Sequence, residues 1–209
     1  MLKKQGLQKE EKVVALCVLV IILEWFGNGM LSPVLSIYAR NEFNATLVMV
    51  SMLTTVWAVA RWMANIPATM FAEKLGSARI IVFGAILMGT GYVLMGLSRT
   101  YLELLLWRGV TGLGSALAGT TVFAVVVEIA GEKRAQYISF IFLGSRVEGI
   151  LGAPLGGWSY QNLGKTAPFF VGGIVGLIGV SILFLSFKKI GLDEFISFKK
   201  TSGLEIPKG

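Results

Sequence analysis

Residues 149–158 read GILGAPLGGW and place four glycines and a proline in the middle of an apolar segment. In a helix surrounded by water this is close to a breaking sequence, because interior Gly costs about 1 kcal/mol against Ala and Pro about 3. Inside a bilayer the same residues become useful, since helices there associate through close backbone approach and small side chains four residues apart allow it. Two such rows run along this segment: Gly144, Gly152 and Gly156 with Glu148 between them, and beside it Gly149, Ala153 and Gly157. Pro154 removes one backbone donor and bends the helix, which neighbouring helices accommodate. The stretch predicts a helix that packs on two sides, bends, and lies in a membrane.

Composition agrees. Of 209 residues 55% are hydrophobic and only 15% charged, and the mean hydropathy is +0.73, far above a soluble globular chain. Three charge-free windows, Ile80 to Ser98, Gly109 to Val127 and Thr166 to Phe187, hold 19, 19 and 22 residues. Each is near the roughly 20 residues a helix needs to cross hydrocarbon. Three more apolar segments of spanning length carry one or two charges each, so the sequence predicts an all-α membrane protein of six transmembrane helices. Their approximate bounds are 13–38, 46–72, 79–98, 102–128, 136–160 and 166–188, flanked by a basic tail over 1–12 and a polar tail over 189–209.

The opening MLKKQGLQKEEK is basic and precedes an apolar run, as in a leader peptide, but no small-residue cleavage site follows a short apolar core, so the first helix is read as retained. The single cysteine, Cys17, and the absence of histidine exclude an intrachain disulfide framework and a zinc site of ordinary type, and no metal or cofactor is expected.

The net charge of +7 is informative through its placement. With the N-terminus in the cytoplasm, Lys3, Lys4, Lys9, Lys12, Lys74, Arg79, Lys133, Arg134, Lys188, Lys189, Lys199, Lys200 and Lys208 fall inside, and only Arg40, Arg99 and Lys165 fall outside. This bias of thirteen to three selects a multi-pass arrangement with both ends cytoplasmic. The basic tails are then topogenic flanks beside membrane lipid, and a nucleic-acid partner is not expected.

The remaining basic residues, Arg61, Arg108 and Arg146, fall within helices, as do Glu24, Glu148 and, near the cytoplasmic end of helix 4, Glu128. An ionised side chain at bilayer depth costs at least about 2.5–3.5 kcal/mol on insertion scales, so such residues face a bundle interior or a wet cavity. Helices 1, 2, 4 and 5 carry them and helices 3 and 6 do not. That pattern repeats after three helices, as in a transporter domain of 3+3 inverted repeats whose polar members build the site and whose apolar members face lipid.

Spacing defines the faces. Glu24, Asn28 and Ser32 recur every four residues in helix 1; Ser51, Thr54, Arg61 and Asn65 share a face of helix 2; Arg108, Thr111, Ser115 and Gly119 share one of helix 4. Such stripes either bond helices to one another, at about 0.6–2 kcal/mol per contact, or line a functional cavity.

Four local patterns resemble the major facilitator superfamily of secondary transporters, specifically the N-terminal six-helix half. GILGAPLGG resembles the helix 5 antiporter motif GxxxGPxxGG, with Gly149, Ala153 in place of Gly, Pro154 and Gly157 in register and Trp158 at the last Gly. LLLWRGVTGLGSA resembles the helix 4 RxxxG motif through Arg108 and Gly112. TMFAEKLGSA is similar to the family's loop after helix 2, GxLaDrxGrr, keeping Glu73, Lys74 and Gly76, lacking the first Gly and the paired basic residues, with Arg79 as their substitute. VVVEIAGEKRAQ, around Glu128 and Arg134, looks like the family's acidic end of helix 4 and the basic connection after it.

The resemblance covers 13 to about 188 and implies two six-helix halves rocking about a midplane site, with helices 1 and 4 lining the cavity, 2 and 5 facing the other half, and 3 and 6 outermost. It implies transport of a small-molecule substrate rather than an enzymatic reaction, with Arg108 and Glu24 as the polar part of the cavity and Glu24 exchanging protons, since a desolvated carboxylate trades a proton as an arginine approaches or leaves; Asn28, Arg61, Arg146 and Glu148 join them as cavity candidates on the charge and stripe readings above. It also implies that the helix 5 motif seals the halves in a proton-driven, efflux-biased antiporter. Glu73, Lys74, Gly76, Arg79 and Glu128 would form a cytoplasmic latch, against the plainer reading of Lys74 and Arg79 as topology signals. The expected location is the plasma membrane. The family's fold has twelve helices and this chain supplies six, ending in FKKIGLDEFISFKKTSGLEIPKG, which looks like the start of the link between halves. Two readings follow: a transporter acting with a second half or as a parallel homodimer, and a non-transporting remnant or six-helix membrane partner protein.

Overall fold

The computed structural model describes the backbone of residues 2–129 and 133–190, and side chains over 11–187 apart from positions 20, 24, 130–132, 147 and 183. Its helices are α1 Leu2–Phe43, α2 Leu47–Leu75, α3 Ser77–Gly96, α4 Tyr101–Ser115, α5 Thr121–Ile129, α6 Arg134–Val147, α7 Ala153–Asn162 and α8 Ala167–Ile190. Two π turns, Ala116–Thr120 and Glu148–Gly152, join α4 to α5 and α6 to α7. The described chain therefore runs in six helical spans long and apolar enough to cross a membrane, as the hydropathy pattern predicts, with no strand among the described residues.

The stretch of the first helix apolar enough to cross a membrane is Glu11–Phe43, starting near the expected 13, while the helix itself starts earlier. Helical backbone begins at Leu2 rather than near 13, so the stretch read as a tail continues the helix. Its Lys, Gln and Glu residues are good helix formers, and basic character alone does not interrupt hydrogen bonding. The polar tail beyond 190 lies outside the described residues.

Short connections force neighbours to be antiparallel. Thr46 caps α2 by accepting a hydrogen bond from the Met49 amide at 3.3 Å, and Thr100 caps α4 by accepting from the Glu103 amide at 3.2 Å. The Glu103 carboxylate in turn accepts from the Arg99 amide at 2.7 Å, so side-chain oxygens satisfy donors the helix start leaves open. Between α2 and α3 there is one residue, Gly76, at φ 96°, a left-handed conformation that glycine adopts without strain.

Two apolar clusters close the bundle, one towards each end. Val13, Cys17 and Ile21 of α1 pack with Ile81 of α3, Val122 and Val126 of α5 and Ile141 of α6. Leu31, Val34 and Tyr38 of α1 pack with Leu53 of α2, Met88 and Tyr92 of α3, Leu104 of α4 and Phe169 of α8. Along α1 the gap between the clusters is 22–30, and along the fourth span it is 105–121, which is where the polar stripes lie.

Burial is uneven. The most apolar part of the fourth span is 61% buried and that of α2 only 11%. α3, charge-free and expected to face lipid, has half of its most apolar stretch buried. The cause is backbone proximity: a Cβ at Gly84 would stand 2.5 Å from the Ala118 amide nitrogen, and one at Gly114 would stand 2.6 Å from the Gly84 carbonyl.

Candidate functional site

Between the two clusters, α1, α2, α4 and the π turn of the fifth span bring their polar side chains into one layer. Arg108, 6% exposed, donates through Nη1 to Oδ1 of Asn28 at 3.3 Å, and Asn28 donates through Nδ2 to Oε2 of Glu148 at 3.4 Å. A neutral amide thus couples a buried cation to a half-buried carboxylate across three spans, each end of the Asn28 amide working in its own sense. Glu148 reaches Asn28 because the fifth span meets α1 closely; Gly29 lies against the Glu148 carbonyl with no room for a side chain. Arg146, exposed, and Arg61 both lie within electrostatic range of that carboxylate.

Arg61 is held differently. Its guanidinium sits 5.0 Å from the Trp25 ring centroid and 5.2 Å from that of Trp57, and Arg108 lies 5.4 Å from the Trp57 ring as well. Trp57 therefore shares its electron-rich surface between two cations. α2 reaches α4 here through Gly112, where a Cβ would stand 2.5 Å from the Trp57 carbonyl oxygen. A second link joins α2 to the π turn after α4, where Thr120 donates to Oδ1 of Asn65 at 2.8 Å.

The helix 4 stripe is fully inside: Thr111 and Ser115 are buried, and Thr111 returns its hydroxyl to the Arg108 carbonyl at 2.8 Å. The stripes of α1 and α2 are mixed. Asn28 joins the layer, Ser32 is exposed, and Ser51 is spent on the Leu47 carbonyl of its own helix at 3.0 Å. Glu24 lies on α1 one turn before Asn28, and its side chain is outside the described residues.

The two glycine rows of the fifth span separate. Gly144, Gly152 and Gly156 all meet α1: a Cβ at Gly144 would stand 3.1 Å from Ile22, one at Gly152 would stand 3.0 Å from the Phe26 carbonyl, and one at Gly156 would overlap the Met30 carbonyl. Gly149 and Gly157 have nothing within 4 Å, Ala153 lies between them half-buried, and Pro154 is exposed just after the π turn. Tight packing on two sides is corrected to one side within this chain.

Glu73, Lys74, Arg79 and Glu128 are all exposed, with Gly76 at the turn, and no ion pair joins any of the four charges to another described residue. The described pairs lie elsewhere: Lys133 stands 4.0 Å from Glu11, and Lys165 meets Glu42 where α8 approaches α1. A groove of about 630 Å³ between α1 and α6, lined by Val14, Val18, Ile22, Tyr137, Phe140 and Leu143 among others, contains none of the polar layer.

Trp25 and Trp57 are absent from the sequence expectations. Trp57 precedes Arg61 by four residues, the spacing that places both on one helix face, so that half of the pairing carried a signal. Trp25 carried none, because its approach to Arg61 is made by tertiary packing.

Residues 17–201 match the family described as Major Facilitator Superfamily. The chain is 26% identical over 211 residues to the multidrug efflux protein YfmO of Bacillus subtilis, covering 97% of this chain and 52% of that protein. It is 26% identical over 200 residues to an uncharacterized MFS-type transporter, MJ1560, of Methanocaldococcus jannaschii, covering 94% and 52%. Its fold is similar to an inward-facing bacterial homolog of the human lysosomal transporter Spinster, with a TM-score of 0.74 at 19% identity, over 85% of this chain and 43% of that one. The chain spans about half the length of the curated relatives it matches.

Proposed function

The chain belongs to the major facilitator superfamily, and from that premise we propose that it moves a small solute across the plasma membrane by alternating access, coupled to protons and biased towards efflux. The observation that carries this reading is the Arg108–Asn28–Glu148 connection, a buried cation and a carboxylate tied across three spans at the level where both apolar clusters give way. Ionised groups at that depth are costly and are kept where they do work. Glu24 is the proposed proton carrier beside them.

We assign the second six-helix half, or a second copy in parallel orientation, to the apolar faces of α2 and the fifth span, where Trp62, Ile66, Ile150 and Trp158 are exposed among the described residues. Gly149, Ala153, Pro154 and Gly157 fit the seal between halves. The charge bias of the connections supports cytoplasmic ends, and Glu73, Lys74, Arg79 and Glu128 around Gly76 would act as a latch there when one conformation closes.

The test is proton-gradient-driven flux in inverted membrane vesicles, with Glu24→Gln, Arg108→Ala and Glu148→Gln compared at equal membrane insertion. Each substitution is expected to lower flux at least about tenfold while the protein still inserts. Undiminished flux in all three removes the cavity assignment. Misfolding of all three assigns the layer to helix packing, and absence of flux in the unaltered protein favours the non-transporting membrane partner.

A further inference from the structure

We propose that Arg61 is the arm of a binding site for a small organic anion, a carboxylate by class, which enters the layer beside Asn28 and Glu148; this rests on the transport reading above. Arg61 stands at the middle of α2, half-buried, and among the described residues it makes no hydrogen bond or ion pair. It is seated against the rings of Trp25 and Trp57, with the Glu148 carboxylate within electrostatic range. Contact with ring faces spends no hydrogen bond to an oxygen acceptor, and the N–H fork of a guanidinium matches a carboxylate in two parallel bonds.

Charge gives the ligand its sign. Among the described side chains of this layer, buried Arg108 and half-buried Arg61 face half-buried Glu148, with the exposed Arg146 within electrostatic range of that carboxylate, whereas Glu128 lies one residue from the end of α5 and outside it. Among those described side chains that are buried or half-buried, one positive charge is in excess, at a depth where excess charge is expensive. The hydrogen-bond inventory leans the same way. The Nε1 atoms of Trp25 and Trp57 and the Nε of Arg108, which is itself more than nine-tenths buried, are donors with no acceptor. These three atoms can only donate, so the partner that would satisfy them is an acceptor. A cationic ligand would have to displace the guanidinium already seated on both indoles and would add to the surplus.

The probes are 4-nitrobenzoate, its neutral isostere 4-nitrobenzamide, and 4-nitrobenzyltrimethylammonium, read by quenching of tryptophan fluorescence. The protein is purified from its native membrane into lipid nanodiscs with any partner half that copurifies. The acid is expected to bind saturably and at least about tenfold more tightly than the amide, with the ammonium weakest. Arg61→Gln should erase the preference for the acid, and Arg61→Lys, which keeps charge and loses the fork, should retain part of it at an unchanged size-exclusion profile. Equal affinity for acid and amide, preference for the ammonium, no binding of any probe, or an unaltered preference in Arg61→Gln overturns the proposal. So does an Arg61→Gln protein that sheds its partner half while the acid binds as before, since that assigns the free edge to a carboxylate of the partner. Binding needs no gradient, so anion binding without flux fails the transport reading alone, and flux without anion preference fails this one alone.

Discussion

Arg108 in the fourth span and Arg61 in α2 occupy similar depths in adjacent helices, and the protein holds them by different means. The fourth span is the most buried of the six and gives Arg108 an amide oxygen, one indole face and almost no exposure. α2 is the least buried and gives Arg61 two indole faces, with its edge left over. Arg108 is fixed by a hydrogen bond inside the bundle with its Nε left unspent, whereas Arg61 is oriented by two rings and makes no hydrogen bond among the described residues. The indole of Trp57 joins the two regions, because both guanidiniums lie on it.

The comparison breaks most completely if α2 is pushed off α4. Gly112→Val adds a branched side chain where even a Cβ would stand 2.5 Å from the Trp57 carbonyl, so stability should fall by about 3 kcal/mol, read as a lower unfolding temperature in detergent. An unchanged unfolding temperature would mean that the two helices are not in the close contact described. Trp57→Leu should come next, at roughly 1–3 kcal/mol, because two cation–π contacts are lost together. Trp25→Leu, which touches Arg61 alone, sharpens the contrast: it should cost less, and equal losses would deny the shared role of Trp57.

Thr120→Val removes the 2.8 Å bond to Asn65 and leaves that acceptor unpaired, for about 1 kcal/mol in the same measurement. The smallest effect belongs to Gly157→Ala, whose methyl meets nothing within 4 Å, so thermal stability should stay within about 0.5 kcal/mol. A large loss in this chain alone would show that the open row is covered by something within it.

Six spans were legible because hydrocarbon imposes a length and excludes charge, and both are written in one dimension. The polar layer was legible in part, since Asn28, Arg61, Arg108 and Glu148 stand out against apolar neighbours. What those residues bind was not. A tryptophan in an apolar chain is unremarkable, so Trp25 became visible only once α1 and α2 were packed. The half-buried state of α3 was hidden for a related reason, because lipid is as apolar as leucine and hydropathy does not distinguish a face turned to lipid from one turned to protein. The glycines of α3 carried the hint, in Gly84, Gly89, Gly91 and Gly96.

The π turn over Glu148–Gly152 also sets the rotational phase of the fifth span. Gly144 and Gly152 are eight residues apart, and on an uninterrupted α-helix they would be about 80° out of line around the axis. A turn that closes one residue late sets everything after it back by roughly 100°, the angular step of one α-helical residue, which nearly cancels that drift. Gly144, Gly152 and Gly156 can then all face α1 along a single seam, while Glu148, inside the slow turn, is swung towards Asn28. Removing one residue between 148 and 152 would leave a chain of almost identical composition whose lower half presents a different side to its neighbours.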